Sequence, residues 1–380
     1  MKEYDAIIVG AGPSGCSTAI ELANLDPSRA NRILLIDKAI FPRPKLCAGG
    51  VTNEADAVLA ELGVHIDLTY KPIDVSKFVL PTGCLTFEQP HHFRVIRRDQ
   101  FDNQLFQAAA RRGIEAKDGE SLERIFPTLD GITIDTSKDR YMTKVLIGAD
   151  GANSTVRKSL GFKRGARLMI GLETFIPLTQ VSIPGINNNS AIFDLSLASR
   201  GIPGYCWVFP TAHDGPSILS FGIMAAPFNK NELFGLKAAF SDWLGERGLD
   251  ASQFSFQAHP ALRYEPKAPS SAYRIVLTGD ALGIDPLFGE GITSALALGR
   301  IAANATINSL RTNDFSFSKY ERQIRISRIG WMMRKRRLLA RRLYSKPRFG
   351  IQYLQHAALF KWVSLLRPNK LGGKIQWESS

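Results

Sequence analysis

Gly10, Gly12, Gly15 and Asp37 are the first residues whose types and spacing suggest chemistry. The glycines fall in Gly10-Ala11-Gly12-Pro13-Ser14-Gly15, directly after the apolar run Tyr4-Asp5-Ala6-Ile7-Ile8-Val9. Asp37 closes a second apolar run, 22 residues after Gly15, with Lys38 beside it. In such a pattern Gly10 permits a tight turn, Gly12 lets backbone approach a pyrophosphate, and Gly15 lets helix and strand pack closely. A helical pattern from Cys16 to Leu25 follows, and the N-terminus of such a helix offers unpaired N–H groups and a partial positive charge to the phosphates. Asp37 is placed to accept from ribose hydroxyls. The chemistry implied is dinucleotide binding, without a choice between FAD and NAD.

Two later strand ends carry acids. Lys144–Ala149 leads into Asp150-Gly151, and Arg274–Thr278 leads into Gly279-Asp280. Pro286–Ile292, containing Gly289, Gly291 and Ile292, follows, and a long helical pattern then runs to about Leu310. Between these pieces, Leu168 to Met224 alternates and is rich in β-branched and aromatic residues, which predicts an antiparallel sheet. Arg97–Asp102 opens a helix, and Leu129-Asp130-Gly131 signals a hairpin. The fold class is therefore α/β. A Rossmann-like nucleotide domain is assembled from residues 1–70, 93–165 and 272–310. An antiparallel β-sheet domain is inserted from 71–92 and 166–271, and 311–380 forms a basic helical region.

The bulk numbers agree with that division. With 380 residues, 44% apolar and 22% charged, the chain has the composition of a globular protein of about two domains. The first strand begins by residue 4, which leaves no room for a signal peptide. No run of 18 apolar residues is present, so no transmembrane helix is expected. Cys16, Cys47, Cys84 and Cys206 show no CxxC pairing and the six histidines no ligand spacing, so no metal and a reducing, cytoplasmic setting are expected. The net charge of +13 is concentrated from Arg311 onward, where 17 Lys/Arg face three Asp/Glu. No nucleic-acid recognition fold accompanies those cations.

Gly10–Gly15, Asp150-Gly151 and Gly279-Asp280, in that order, resemble the glutathione-reductase-like flavoproteins of the aromatic-hydroxylase type. Two further stretches are similar to the geranylgeranyl reductases: the loop Phe41-Pro42-Arg43-Pro44-Lys45-Leu46-Cys47-Ala48-Gly49-Gly50 and the strand Tyr205-Cys206-Trp207-Val208-Phe209-Pro210. Ala48 departs from the family's third loop glycine. The resemblance covers residues 4 to about 310. It implies FAD, with Asp280 at the ribityl chain or pyrophosphate, Arg98 reaching the phosphate region, and the helix after Gly289 pointing its N-terminus at the flavin. It also implies reduction of carbon–carbon double bonds in a prenyl chain of a lipid, quinone or pigment precursor. Cys47, Ala48 and Gly49 then approach the cofactor, and Cys47, Tyr205 and Trp207 are the candidate catalytic residues.

On pattern alone, Tyr205, Trp207 and Phe209 share one face of a strand and read as sheet core; the resemblance turns them into the wall of an isoprenoid slot. Cys47 reads equally as a small residue filling space beneath a turn. No second dinucleotide motif is present, so the reductant is NADPH, NADH or a protein donor docking transiently. Two rivals remain: an NAD(P)H-dependent monooxygenase using the same flavin, and a flavin-bearing membrane protein without turnover. Halogenase relatives carry a Trp-x-Trp-x-Ile-Pro stretch that is missing here. Finally, Trp331, Met332, Leu338, Leu339 and Leu343, then Ile351, Leu354, Ala358, Trp362 and Leu365, set apolar stripes among the tail's cations. Residues 331–366 are therefore expected to hold the protein peripherally on an anionic membrane surface. None of these patterns sets an oligomeric state.

Overall fold

A computed structural model describes residues 1–163, 168–181, 183, 186–187, 189–212, 217–228, 235–345 and 373–379. The first apolar run becomes β1 (Lys2–Val9), buried over its last six residues. Pro13 opens α1 (Pro13–Leu25), at a position where its missing N–H costs nothing. β2 (Ile33–Ile36) is buried throughout and runs parallel to β1, as strands covered on both faces do. β3 (Gly50–Thr52), α2 (Asn53–Glu61), β4 (Tyr70–Leu80), β5 (Gly83–Ile96) and α3 (Arg98–Ala110) follow. Next come β6 (Glu115–Lys117), the hairpin β7 (Leu122–Pro127) and β8 (Ile132–Thr136), β9 (Arg140–Gly148) and α4 (Thr155–Ser159). Thr52 and Ser154 cap α2 and α4, accepting from the N–H groups of Ala55 and Arg157.

The second half supplies β10 (Leu168–Pro177), β11 (Ser190–Asp194), β12 (Gly204–Pro210), β13 (Ile218–Ala225), α5 (Leu236–Gly245) and β14 (Gln257–Leu262). It ends with β15 (Ser271–Ala272), β16 (Ile275–Leu277), α6 (Ile292–Thr312), α7 (Tyr320–Ile326), α8 (Arg328–Ser345) and β17 (Lys374–Ser379).

These elements form two sheets. The first has the order β15-β16-β9-β1-β2-β6, with the β7–β8 hairpin on β9. Its central pairs are parallel, so the ends of β1, β9 and β16 bring Gly10, Asp150 and Asp280 to one side. α1 and α6 pack together: Ser17 Oγ donates to the Leu296 carbonyl at 2.7 Å and Thr18 Oγ1 to that of Gly299 at 3.1 Å.

The second sheet has the order β14-β10-β13-β12-β11-β4-β5-β17, with β3 also on β5. Its pairs are antiparallel except β11 with β4, which are parallel. The chain passes through the first sheet between β5 and β10, so β11 does not arrive by a hairpin from β4. Cys206 and Val208 pack with Phe221, Phe240 and Trp243 in one core, while Tyr205, Trp207 and Phe209 belong to another. The period-2 reading of that strand therefore holds.

Two stretches differ from expectation. Lys374–Ser379, assigned to a helical region, is a strand paired antiparallel with β5. Its partner is the open edge of a distant sheet, which no local pattern reveals. In the basic tail, Trp331 and Leu338 are exposed, but Met333, Ala340, Leu343 and Tyr344 are buried against the body. Leu343 therefore does not share one outward stripe with Trp331. The second stripe, 351–365, lies outside the described residues.

A Cβ on Gly15 would stand 1.8 Å from the Gly10 carbonyl oxygen, whereas one on Gly12 would meet only Arg43 Nη2, at 3.8 Å. Gly15→Ala is therefore expected to destabilise the fold by about 1–3 kcal/mol, as overpacking does, and Gly12→Ala by clearly less. Thermal denaturation of both variants checks this ordering, and equal melting temperatures would contradict it.

Candidate functional site

One cavity of about 760 Å³ runs from the β1–α1 turn to the aromatic face of the second sheet. At the nucleotide end, Gly10, Gly12, Pro13 and Ser14 line it beside Asp37 and Lys38. Gly15 and Gly279 do not line it; they allow close packing, Gly15 beneath Gly10 and Gly279 against Ser14. Ser14 Oγ and Thr278 Oγ1 share a hydrogen bond of 2.9 Å, which ties the first and third strand ends together. The two carboxylate oxygens of Asp37 accept from the N–H groups of Ala11 (2.7 Å) and Ala39 (2.9 Å), so its position is set by backbone. Asp150 Oδ2 accepts from Thr155 N–H at 2.6 Å, and its buried Oδ1 has no partner.

Cations gather in the middle of the cavity. Arg98 donates to both oxygens of Asp102 at 2.9 Å, and Arg43 reaches the same carboxylate at 3.0 Å. Asp102 is wholly buried. Burial opposes the Arg98 charge, but Asp102 and the neighbouring Cys47 raise its pKa further. Lys45 donates to His259 Nε2 at 3.1 Å. Burial lowers the pKa of Lys45, and burial with the Lys45 and Arg98 charges pushes that of His259 down to about 4. The ring is therefore neutral at pH 7. Asp280 also lines the cavity; burial raises its pKa, opposed by Lys45 and Arg98.

The Cys47–Gly50 loop joins the two sheets. Gly49 has φ +78°, and a Cβ there would stand 2.2 Å from the Ile96 carbonyl oxygen. Cys47, Ala48 and Gly49 all line the cavity, and the Gly49 N–H faces Cys47 Sγ at 3.4 Å. Gly289, Gly291 and Ile292, at the start of α6, line it too. The segment before them is clamped from three sides. Tyr205 donates to the Phe288 carbonyl at 2.6 Å, Tyr344 to that of Leu287 at 2.7 Å, and Arg336 to Asp285 at 2.9 Å. The Tyr205 hydroxyl is thus committed to backbone, and burial raises its pKa.

Trp207 lies flat over β13, where a Cβ on Gly222 would come within 2.0 Å of its ring. Its Nε1–H donates to Ser220 Oγ at 2.9 Å, and Ser220 donates to Glu173 Oε1 at 2.6 Å. Glu173 lines the cavity, is 1% exposed, and its Oε2 has no hydrogen-bond partner among the described residues. Burial pushes its pKa up to about 7, partly offset by Ser220 and by the nearby backbone N–H of Cys47.

Sequence reasoning missed Arg43, Lys45, Glu173, His259 and Arg336 as residues of this wall. Glu173 carried a usable signal: it has the parity of Met169 and Gly171 in an otherwise apolar strand, where a carboxylate is costly. Arg43 and Lys45 lay inside a loop already singled out. Nothing distinguished Arg336 from its neighbours in the basic run, or His259 from the other scattered histidines.

The wall suits a flavin dinucleotide. The space above Gly12 is open to the cavity, and the unpartnered Asp150 Oδ1 and Arg43 Nη1 are buried polar atoms awaiting ligands of opposite hydrogen-bonding character. Comparison with known proteins agrees. Residues 3–184 match the family described as FAD binding domain. The digeranylgeranylglycerophospholipid reductase of Methanocella arvoryzae is 30% identical, with 85% of this chain and 83% of that protein covered. The menaquinone reductase of Mycolicibacterium smegmatis is 25% identical over 79% of this chain and 75% of its own. A geranylgeranyl bacteriochlorophyll reductase-like protein from Thermoplasma acidophilum shares the fold with a TM-score of 0.75 at 22% identity, covering 90% of this chain and 88% of that one. The chain belongs to the geranylgeranyl reductase family of FAD-dependent oxidoreductases.

Proposed function

We propose that this protein saturates carbon–carbon double bonds in the isoprenoid chain of a lipid, quinone or pigment precursor. The observation that carries this reading is the apolar end of the cavity, walled by Phe193, Tyr205, Trp207, Phe209 and Phe288 and continuous with the nucleotide end. An isolated alkene offers no carbonyl to polarise, so recognition must come from shape and apolar contact. Reduced FAD, when bound, supplies hydride to one alkene carbon.

The chain's own residues then hold, orient and exclude. Asp37, with Lys38 beside it, takes the ribose, and Gly10, Gly12, Pro13, Ser14, Arg43 and Arg98 surround the pyrophosphate. Asp150 and Asp280 take polar groups between the two ends. Cys47, Ala48 and Gly49 face the α6 start at Gly289–Ile292 across the ring site, where the helix N-terminus favours negative charge on reduction. Tyr205 acts as a positioning residue through its bond to Phe288, and Trp207 forms the floor under the prenyl chain. The names of the related reductases support this substrate class.

We also place the outer side of α7 and α8 on an anionic membrane. Ile326, Trp331 and Leu338 are exposed there among Arg322, Arg325, Arg328, Lys335, Arg341 and Arg342. Arg336 and Arg337 are turned inward to Asp285 and Glu265 and take no part. No described helix is long and apolar enough to cross a membrane. Each engaged cation contributes about 1 kcal/mol near an anionic surface, and the three apolar side chains add a salt-resistant part.

Asp280→Ala is expected to weaken FAD retention by about 1.5–3 kcal/mol, the loss of a charge-assisted hydrogen bond. Flavin absorbance during equilibrium dialysis measures it, and unchanged retention removes Asp280 from the cofactor site. Trp207→Ala should abolish turnover of prenyl lipid while FAD stays bound; parallel loss of flavin and activity would make the aromatic stripe plain core. The product assay is mass spectrometry of prenyl lipids shifted by two hydrogens. For the membrane face, α8 walls the cavity and cannot be removed. Co-sedimentation with anionic vesicles is therefore compared for the native chain and a variant carrying Arg325→Glu, Lys335→Glu, Arg341→Glu, Trp331→Ser and Leu338→Ser. Equal binding by both places the attachment elsewhere.

A further inference from the structure

We propose that Glu173, which lines the cavity, supplies the proton that completes alkene saturation, carrying it on Oε2, the carboxyl oxygen that Ser220 does not engage. This rests on the reductase reading above. The ordering of hydrogen bonds around the carboxyl decides which oxygen bears the proton. An indole N–H can only donate, so Ser220 Oγ must accept from Trp207 Nε1 at 2.9 Å. The single hydroxyl hydrogen of Ser220 is then directed to Glu173 Oε1 at 2.6 Å. Oε1 is thereby an acceptor, and a proton on this carboxyl belongs on Oε2, which is buried with no hydrogen-bond partner among the described residues. The same chain starts at the indole that forms the slot floor, so the acid is registered to the substrate site.

The other polar groups of the wall are less suited. The Tyr205 hydroxyl is held by the Phe288 carbonyl at 2.6 Å. Burial raises the pKa of Glu290 too, but it accepts from Thr293 N–H at 2.8 Å and has Arg336 3.8 Å away, both of which favour its charged form. Asp280 has Lys45 and Arg98 acting on it. Among the described residues no cation acts on Glu173; its offsetting neighbours are the Ser220 hydroxyl and the Cys47 N–H. Ionisable groups on the same wall include His259 on β14, Tyr205 on β12, His92 on β5, Arg43, Lys45 and Cys47 in the loop, and Arg98, Asp280, Glu290 and Arg336. A carboxyl with a pKa near 7 is matched to general-acid work at neutral pH.

The step balances. The C=C π bond, the bond holding the hydride on the reduced cofactor and the Oε2–H bond would break, and two C–H bonds would form. Hydride from the reduced cofactor brings two electrons to one carbon, Glu173 gives a proton to the other, and a carboxylate and oxidised FAD remain. Water reprotonates the carboxylate before the next turnover.

The test uses FAD-loaded enzyme reduced with dithionite and mixed with digeranylgeranylglycerophospholipid in detergent. The acid form is the donor and is lost as pH rises through about 7, so the native saturation rate should fall along that limb. Glu173→Gln should keep its flavin spectrum but lose about 10²–10⁴-fold in rate, with no alkaline limb. Ser220→Ala removes a hydrogen bond that favours the carboxylate, so its limb should move to higher pH, a shift a merely structural role would not produce. Independently of turnover, the infrared difference between native and Glu173→Gln holoenzyme should show a protonated-carboxyl band that vanishes on raising pH through about 7. A Glu173→Gln enzyme matching the native rate and limb, or the absence of that band, overturns the role of Glu173. A native enzyme that leaves the alkene untouched, with the infrared titration present, overturns the reductase reading instead.

Discussion

The backbone of Gly15 passes so close to the Gly10 carbonyl that no side chain fits between them, and the rest of the site inherits its position from that contact. It sets α1 against the end of β1. α1 in turn meets α6 where a Cβ on Gly299 would stand 2.5 Å from the Ser14 carbonyl oxygen, and Ser17 and Thr18 bond across. The same two helices therefore define both ends of one cavity. The N-terminus of α1 opens onto the phosphate end, and that of α6 onto the end where the second sheet begins.

Charge burial follows the same economy. A buried carboxylate needs partners or it neutralises. Asp102 answers with two guanidinium groups, Arg43 and Arg98, and keeps both at the cavity wall. Lys45 and His259 solve the opposite problem: two cations side by side are unfavourable, so the imidazole stays neutral and accepts. Glu173 takes neither route. With a hydroxyl on one oxygen and no hydrogen-bond partner among the described residues on the other, its carboxyl is pushed toward the protonated form by burial. Arg336 crosses from α8 to Asp285 and makes the basic tail part of the cavity wall.

Much of this was legible in one dimension. Period-2 alternation placed Tyr205, Trp207 and Phe209 on one face, and the glycine spacing placed the β1–α1 turn. Asp150 and Asp280 were legible as acids at strand ends, and it was their order after the glycine turn that carried the resemblance. These features are local: each depends on residues within one turn or one strand. What escaped was non-local. The strand Lys374–Ser379 required a partner edge nearly 300 positions away in the chain. Leu343 was counted with Trp331 because heptad spacing does not reveal which side of a helix meets the body.

The order of residues thus settles the nucleotide turn, the two-sheet class and the aromatic stripe, since backbone sterics and side-chain periodicity act over a few residues and leave their mark in the chain itself. The tertiary structure alone decides that Trp207, Ser220 and Glu173, drawn from three strands, form one hydrogen-bonded line, and that Arg336 closes the cavity rather than meeting solvent. Their relation exists only after β12, β13 and β10 pair in register, where burial raises the cost of every unpaired polar atom and so selects which groups meet.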